Sequence, residues 1–138
     1  MKIHFLNHQE WGIDDKVFRP FILKLQKAIR VHEGDFNVVF VNDPYIHQLN
    51  KAYRGKDKPT DVLSFNYDDK SMDLAGEIYI SVETAKKQAR DFKHSLQEEL
   101  SKLFVHGFLH IHGYDHESEK DYKKMHAIEV KVLGKDMT

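Results

Sequence analysis

An α+β fold is what this sequence predicts. The expectation is one domain over residues 1–138, a mixed sheet of about four strands packed with about five helices, and a metal site at the end of a helix in the C-terminal half. Three observations predict it. Short apolar runs of strand length are interleaved with helical-period segments as far as Val82. Beyond that point the pattern is helical throughout, so helices collect on the sheet instead of alternating with strands to the end. Glycines, prolines and capping residues punctuate the boundaries.

Taken in order, Lys2 to Asn7 alternates enough to be a strand. Asp14-Asp15 opens a helical stretch whose apolar face is Phe18, Phe21, Ile22, Leu25, Ala28 and Ile29, ended by Gly34. Pro20 inside it predicts either a helix that starts near Arg19-Pro20 after a turn, or a bend there. Phe36 to Val41 is almost continuously apolar and β-branched, the mark of a strand covered on both sides. Asn42-Asp43-Pro44 starts a helix with Ile46, Leu49 and Tyr53 on one face, and Gly55 stops it. Val62 to Phe65 and Glu77 to Val82 are two further strands, joined through a polar turn around Asp68-Asp69-Lys70-Ser71. Val82, Ala85, Ala89, Phe92 and Leu96 then keep a helical period. Ser95-Leu96-Gln97-Glu98 matches a capping box and opens a new helix. Ser118 to Asp121 has a looser capping signature, followed by Tyr122, Met125, Ile128 and Val132 as a buried stripe.

Bulk properties exclude several classes. No cysteine is present, which removes disulfides and thiolate metal sites and fits a reducing, cytoplasmic location. Met1 to Asn7 has no long apolar core and no cleavage signature, so no secretory signal is expected, and no apolar stretch approaches membrane-spanning length. A formal net charge of -1 means that a nucleic-acid partner would have to be held by local patches.

The chemistry is concentrated in the run His106-Gly107-Phe108-Leu109-His110-Ile111-His112-Gly113-Tyr114-Asp115-His116, which holds four of the ten histidines. If residues 96–112 are helical, His106 and His110 lie one turn apart on one face. Gly113 can take the left-handed conformation that ends a helix, and the reversal brings His116 back toward the pair. Lone histidines are usually packing or surface residues, and i, i+4 pairs arise by chance. The third histidine after a helix-ending glycine is what points to a metal. Three imidazoles on one ion, zinc first, leave a fourth position for water, as catalytic sites do. His112 sits about 240° round the helix from His106 and reads as a packing or surface residue.

A second constellation runs from Asn50 to Phe65, a polar, glycine- and proline-containing loop between a helix and a strand. Arg54 is its main interest, because its fork matches phosphate oxygens. By composition alone the commoner reading is a solvated arginine at a helix C-terminus. Thr60 and Asp61 read as loop braces. Lys86, Arg90 and Lys93, with Lys87 beside them, form a basic helix face that suits a nucleic-acid backbone but is more often a solubilising surface.

Together the two stretches resemble the YbeY family of single-strand-specific endoribonucleases. His106 to His116 is similar to that family's H-G-x-L-H-x-x-G-Y-D-H motif at every fixed position. Tyr53-Arg54, Lys56-Asp57 and Pro59-Thr60-Asp61-Val62-Leu63-Ser64-Phe65 resemble its second signature, and Gly76-Glu77-Ile78 its Gly-Asp-Ile strand with glutamate for aspartate. The resemblance implies that His106, His110 and His116 bind zinc and that Arg54 is the residue most needed for RNA cleavage, against the solvated-arginine reading. It further implies processing of ribosomal RNA, notably the 3′ end of the small-subunit RNA, and a part in ribosome quality control. The partners it implies are single-stranded RNA, the small ribosomal subunit and associated assembly factors.

Two other classes compete. H-x3-H-x2-G-x2-H is also the ligand skeleton of a metallopeptidase-like hydrolase, but such enzymes place a glutamate base directly after the first histidine. Here that position is Gly107, which can accept no proton. A non-catalytic, zinc-stabilised ribosome assembly factor is the other reading. Whether water or the RNA 2′-hydroxyl attacks the phosphate is left open.

Overall fold

Each strand in the computed structural model, which describes residues 1–67 and 74–137, is placed by what its two faces must cover. Strand β1 is Lys2–Asn7, β2 Asp35–Val41, β3 Val62–Asn66 and β4 Leu74–Ser81. Helices α1 (Arg19–Ala28), α2 (Asp43–Arg54), α3 (Val82–Asp91), α4 (Leu96–Ile111) and α5 (Glu119–Leu133) pack on the sheet they form. The sheet order is β1-β2-β4-β3, with β1, β2 and β4 parallel and β3 antiparallel on the edge. This is the mixed four-stranded α+β arrangement that the sequence predicts. The Asp68 to Ser71 turn lies outside the described residues.

Strand β2 is covered on both faces, as its composition requires. Phe36, Val38 and Phe40 enter the main core with Ile78 and Ile80 of β4, and Val39 and Val41 enter a second cluster with Ile46 of α2 and Leu63 of β3. Period-2 alternation sorts neighbours to opposite faces. Residues of α1, α3, α4 and α5 fill the main cluster. Helix α4 lies deepest, with Leu100, Leu103, Phe104, Val105, Phe108, Leu109 and Ile111 all buried. No helix among the described residues is long and apolar enough to cross a membrane.

Several boundaries differ from expectation. Pro20 occupies the first turn of α1 after a 3-10 turn over Asp15–Phe18, the first of the two alternatives. That helix ends at Ala28, not at Gly34: Ile29 is extended, and Gly34, at φ 113°, belongs to the approach to β2. Strand β4 starts earlier than Glu77 and gives up Val82 to α3, because the Ser81 side chain accepts from Thr84 N and caps that helix. Phe92 is 57% exposed and closes α3 instead of continuing its stripe. Lys93 then takes φ 57°, so it leaves the helix and the face of Lys86 and Arg90. The capping box at Ser95 and Glu98 is complete, with both reciprocal bonds formed. Ser118 caps α5 through Asp121 N.

Candidate metal centre and strand-edge cleft

Helix α4 is buried on nearly every side, and His106 and His110 mark the strip that is not. The helix ends at Ile111. Gly113 at φ 90° then reverses the chain, with its N–H donating to His110 O and Tyr114 N–H to Leu109 O. Tyr114 packs against the core, which anchors the returning segment and leaves exposed His116 over the pair. Ring centroids stand 4.5 Å apart for His106 and His110, 5.5 Å for His106 and His116, and 5.3 Å for His110 and His116.

The donor atoms suit a first-row divalent ion. Nε2 of His106 and Nε2 of His110 are 3.0 Å apart, and one nitrogen from each of the three histidines falls within 4.8 Å of the others. Zinc bonds of about 2.0 Å at tetrahedral angles put ligand nitrogens roughly 3.3 Å apart, so the pair already has near-ligating spacing. His110 is also in the right protonation state. Burial first, then its two histidine neighbours, push its pKa down to about 4, which keeps the ring neutral with a lone pair at pH 7.

One wall of this cleft is the β3 edge. Arg54, Asp61, Val62, Leu63 and Ser64 line a hollow of about 400 Å³ together with His106, Gly107, His110 and His116. Helix α2 delivers Arg54 because Gly55 ends it in the left-handed conformation at φ 68°. The guanidinium is exposed but tethered. Its Nη2 donates to Ser64 O at 2.8 Å, and its Cζ lies 5.0 Å from the Phe65 ring centroid. The loop after α2 is tied down by Asn50 Nδ2 donating to Lys58 O and by a His47–Asp57 contact at 2.7 Å.

Asp61 braces the start of β3, as its sequence context suggests. Its Oδ1 accepts from Val62 N at 2.8 Å, and Gln88 Nε2 donates to its Oδ2 at 3.3 Å. Gln88 also donates to fully buried Glu99, which His94 contacts on its other oxygen at 2.5 Å. His112 turns away from the cleft: its Nδ1 donates to Phe108 O and its Nε2 accepts from His32 N, and burial lowers its pKa. The basic face of α3 stays apart as well. Lys86 Nζ sits 3.9 Å from the Trp11 ring centroid, and Lys86, Lys87 and Arg90 line a separate hollow with Trp11.

Glu129 is the residue that sequence reasoning passed over. It falls one turn after Met125 on the inner side of α5 and touches His106 Nδ1 through Oε2 at 3.1 Å. A carboxylate inside an otherwise apolar stripe was the available signal.

Fold and site together define an α+β domain with a helix-borne three-histidine cleft able to hold a metal ion beside a sheet edge. Residues 6–136 match the family model described as Endoribonuclease YbeY. Endoribonuclease YbeY of Acholeplasma laidlawii is 46% identical over 135 residues, 98% of this chain and 96% of that protein. Its counterpart in Petrotoga mobilis is 46% identical over 133 residues, covering 94% and 91%. The solution structure of TM1509 from Thermotoga maritima aligns at a TM-score of 0.63 and 31% identity, over 96% of this chain and 89% of that one. The chain belongs to the YbeY family of endoribonucleases.

Proposed function

We propose that residues 1–138 form one zinc-dependent endoribonuclease domain that cuts single-stranded RNA. In this reading it matures ribosomal RNA in the cytoplasm, including the 3′ end of the small-subunit RNA, and serves ribosome quality control with the small subunit and its assembly factors. The observation that carries the reading is the convergence of His106, His110, His116 and Arg54 on one cleft. Family membership supplies RNA as the substrate class.

In this reading the three histidines hold the ion. Bound there, it supplies a Lewis acid for a phosphoryl oxygen and lowers the pKa of a coordinated water toward 7. Arg54 binds the phosphate. Ser64 O occupies one of its five N–H donors and the Phe65 ring lies beside it, which leaves the remaining donors for the cleft that Arg54 lines. A preoriented cation acts on the charge that grows on the phosphate oxygens in the transition state. Neutral His110 keeps its lone pair for the ion instead of a proton.

Peptide hydrolysis meets a steric obstacle as well as a chemical one. A Cβ at position 107 would lie 2.9 Å from Ile78 Cγ2 and 3.3 Å from Val62 Cγ2, so the helix leaves no room there for the glutamate base of a metallopeptidase.

The test is cleavage of an end-labelled single-stranded RNA by the purified protein beside His110→Ala purified identically. Cleavage by wild type alone is the expected result, and the product ends identify the nucleophile. A 2′,3′-cyclic phosphate means that the 2′-hydroxyl attacked. Equal cleavage by both proteins means a contaminating nuclease. No cleavage by either, with or without small subunits, favours a non-catalytic assembly factor.

A further inference from the structure

The partly buried carboxylate of Glu129 has one hydrogen-bond partner among the described residues, and that partner is His106. Its side chain is 19% exposed. Glu129 occupies a position of α5 flanked by Met125 and Val132, one turn to either side, which are both buried against the core. Placing a carboxylate in such a stripe costs free energy unless a donor meets it. The donor is Nδ1 of His106 at 3.1 Å, across the α4–α5 interface.

That contact fixes the chemistry of the ring. A carboxylate accepts, so Nδ1 of His106 carries the proton and Nε2 carries the lone pair. Nε2 is the atom that points into the histidine cluster, 3.0 Å from His110 Nε2. That lone pair accepts from His110 Nε2–H; a cation at the same place would take the lone pair instead, with the His110 proton moving to Nδ1 of its own ring. Neither His110 Nδ1 nor either ring nitrogen of His116 has such a partner among the described residues. His106 is therefore the one member of the three whose tautomer and ring plane are set from behind.

From this geometry we infer that Glu129 is a positioning residue for the metal centre: it holds His106 in the Nδ1–H tautomer so that Nε2 is the metal-ligating atom. The inference rests on the metal reading of the three histidines and not on RNA cleavage. It also gives α5 a role beyond covering the core. The helix that follows the metal motif in sequence returns to orient the motif's first ligand.

The test measures metal binding alone. Zinc is titrated against a competing chromophoric chelator, and Co(II) absorption is recorded, for the full chain, Glu129→Gln and Glu129→Ala. Glu119→Ala, on the exposed start of the same helix, is the control. The expected result is a 10- to 100-fold loss of zinc affinity in Glu129→Ala, the range typical of removing a ligand's hydrogen-bond partner. Glu129→Gln keeps an acceptor oxygen and loses less. Both variants shift the Co(II) bands, while far-UV circular dichroism of the metal-free proteins is unchanged. Wild-type affinity in both variants overturns the inference. So does a loss in Glu129→Ala that accompanies a collapsed fold while Glu129→Gln matches wild type in affinity and spectrum. If the wild-type chain binds neither zinc nor cobalt, the metal reading itself falls and takes the inference with it.

Discussion

Arg54 shows how one side chain's surroundings change its reading. A helix C-terminus is where arginines commonly sit in solvent, and nothing in composition distinguishes this one. The Ser64 carbonyl and the Phe65 ring do, because they turn the guanidinium across the β3 edge into the histidine cleft. If that orientation serves phosphate binding, Arg54→Ala keeps its metal and fold and loses about 10²- to 10³-fold in RNA cleavage, the scale of removing one preorganised donor. Elemental analysis of the variant is the check: loss of zinc would make Arg54 a structural residue. Arg54→Lys should restore little, because an ammonium cannot make the fork's paired contacts.

At the scale of elements, the site depends on how closely α4 approaches the sheet. Gly107 sits between the ligand candidates and permits that approach, with Ile78 and Val62 against the place of its missing Cβ. Gly107→Ala sets two effects against each other. Alanine is better than glycine in a helix by about 1 kcal/mol. Overpacking a rigid core costs about 1–3 kcal/mol, and the facing atom belongs to a fully buried, β-branched residue that cannot swing aside. The clash should win: the denaturant midpoint falls, and zinc affinity falls with it as α4 is pushed off β3 and β4. A midpoint equal to or above wild type would show that the contact is soft. The elements themselves were largely legible. Ser95 and Glu98 marked the start of α4, and Gly55 and Gly113 marked stops that the backbone realises at φ 68° and 90°. The misplaced ends have local causes, as where the Ser81 hydroxyl recruits Val82 into α3.

For the whole molecule, acid sensitivity follows from two histidines kept neutral by folding. Burial and then the neighbouring rings hold the His110 pKa at about 4, opposed by Glu129 and Asp115, and burial lowers that of His112. An unfolded histidine titrates near 6.5. Between pH about 4 and 6.5 the unfolded chain therefore binds more protons, so stability rises with pH across that window. The contribution is complete above about 6.5 and is lost as the pH falls toward 4. Denaturant unfolding of the chelator-treated protein at several pH values across this range should show that slope, and His110→Ala should flatten it. A midpoint that does not move between pH 7.5 and 5 would contradict the burial account.

Local signals in the sequence were sufficient for the class of fold, the element order and the three candidate ligands. Capping, glycine stops and the spacing of His106, His110 and His116 all act within a few residues of the chain. Tertiary structure alone decided which surfaces meet. It brought Ser64 O to Arg54 from ten residues away, Gln88 to Asp61 from α3, and Glu129 to His106 across 23 residues. Those pairings depend on strand order and helix packing, which no local propensity specifies. The candidate ligands could therefore be read from the motif, whereas what orients them could not.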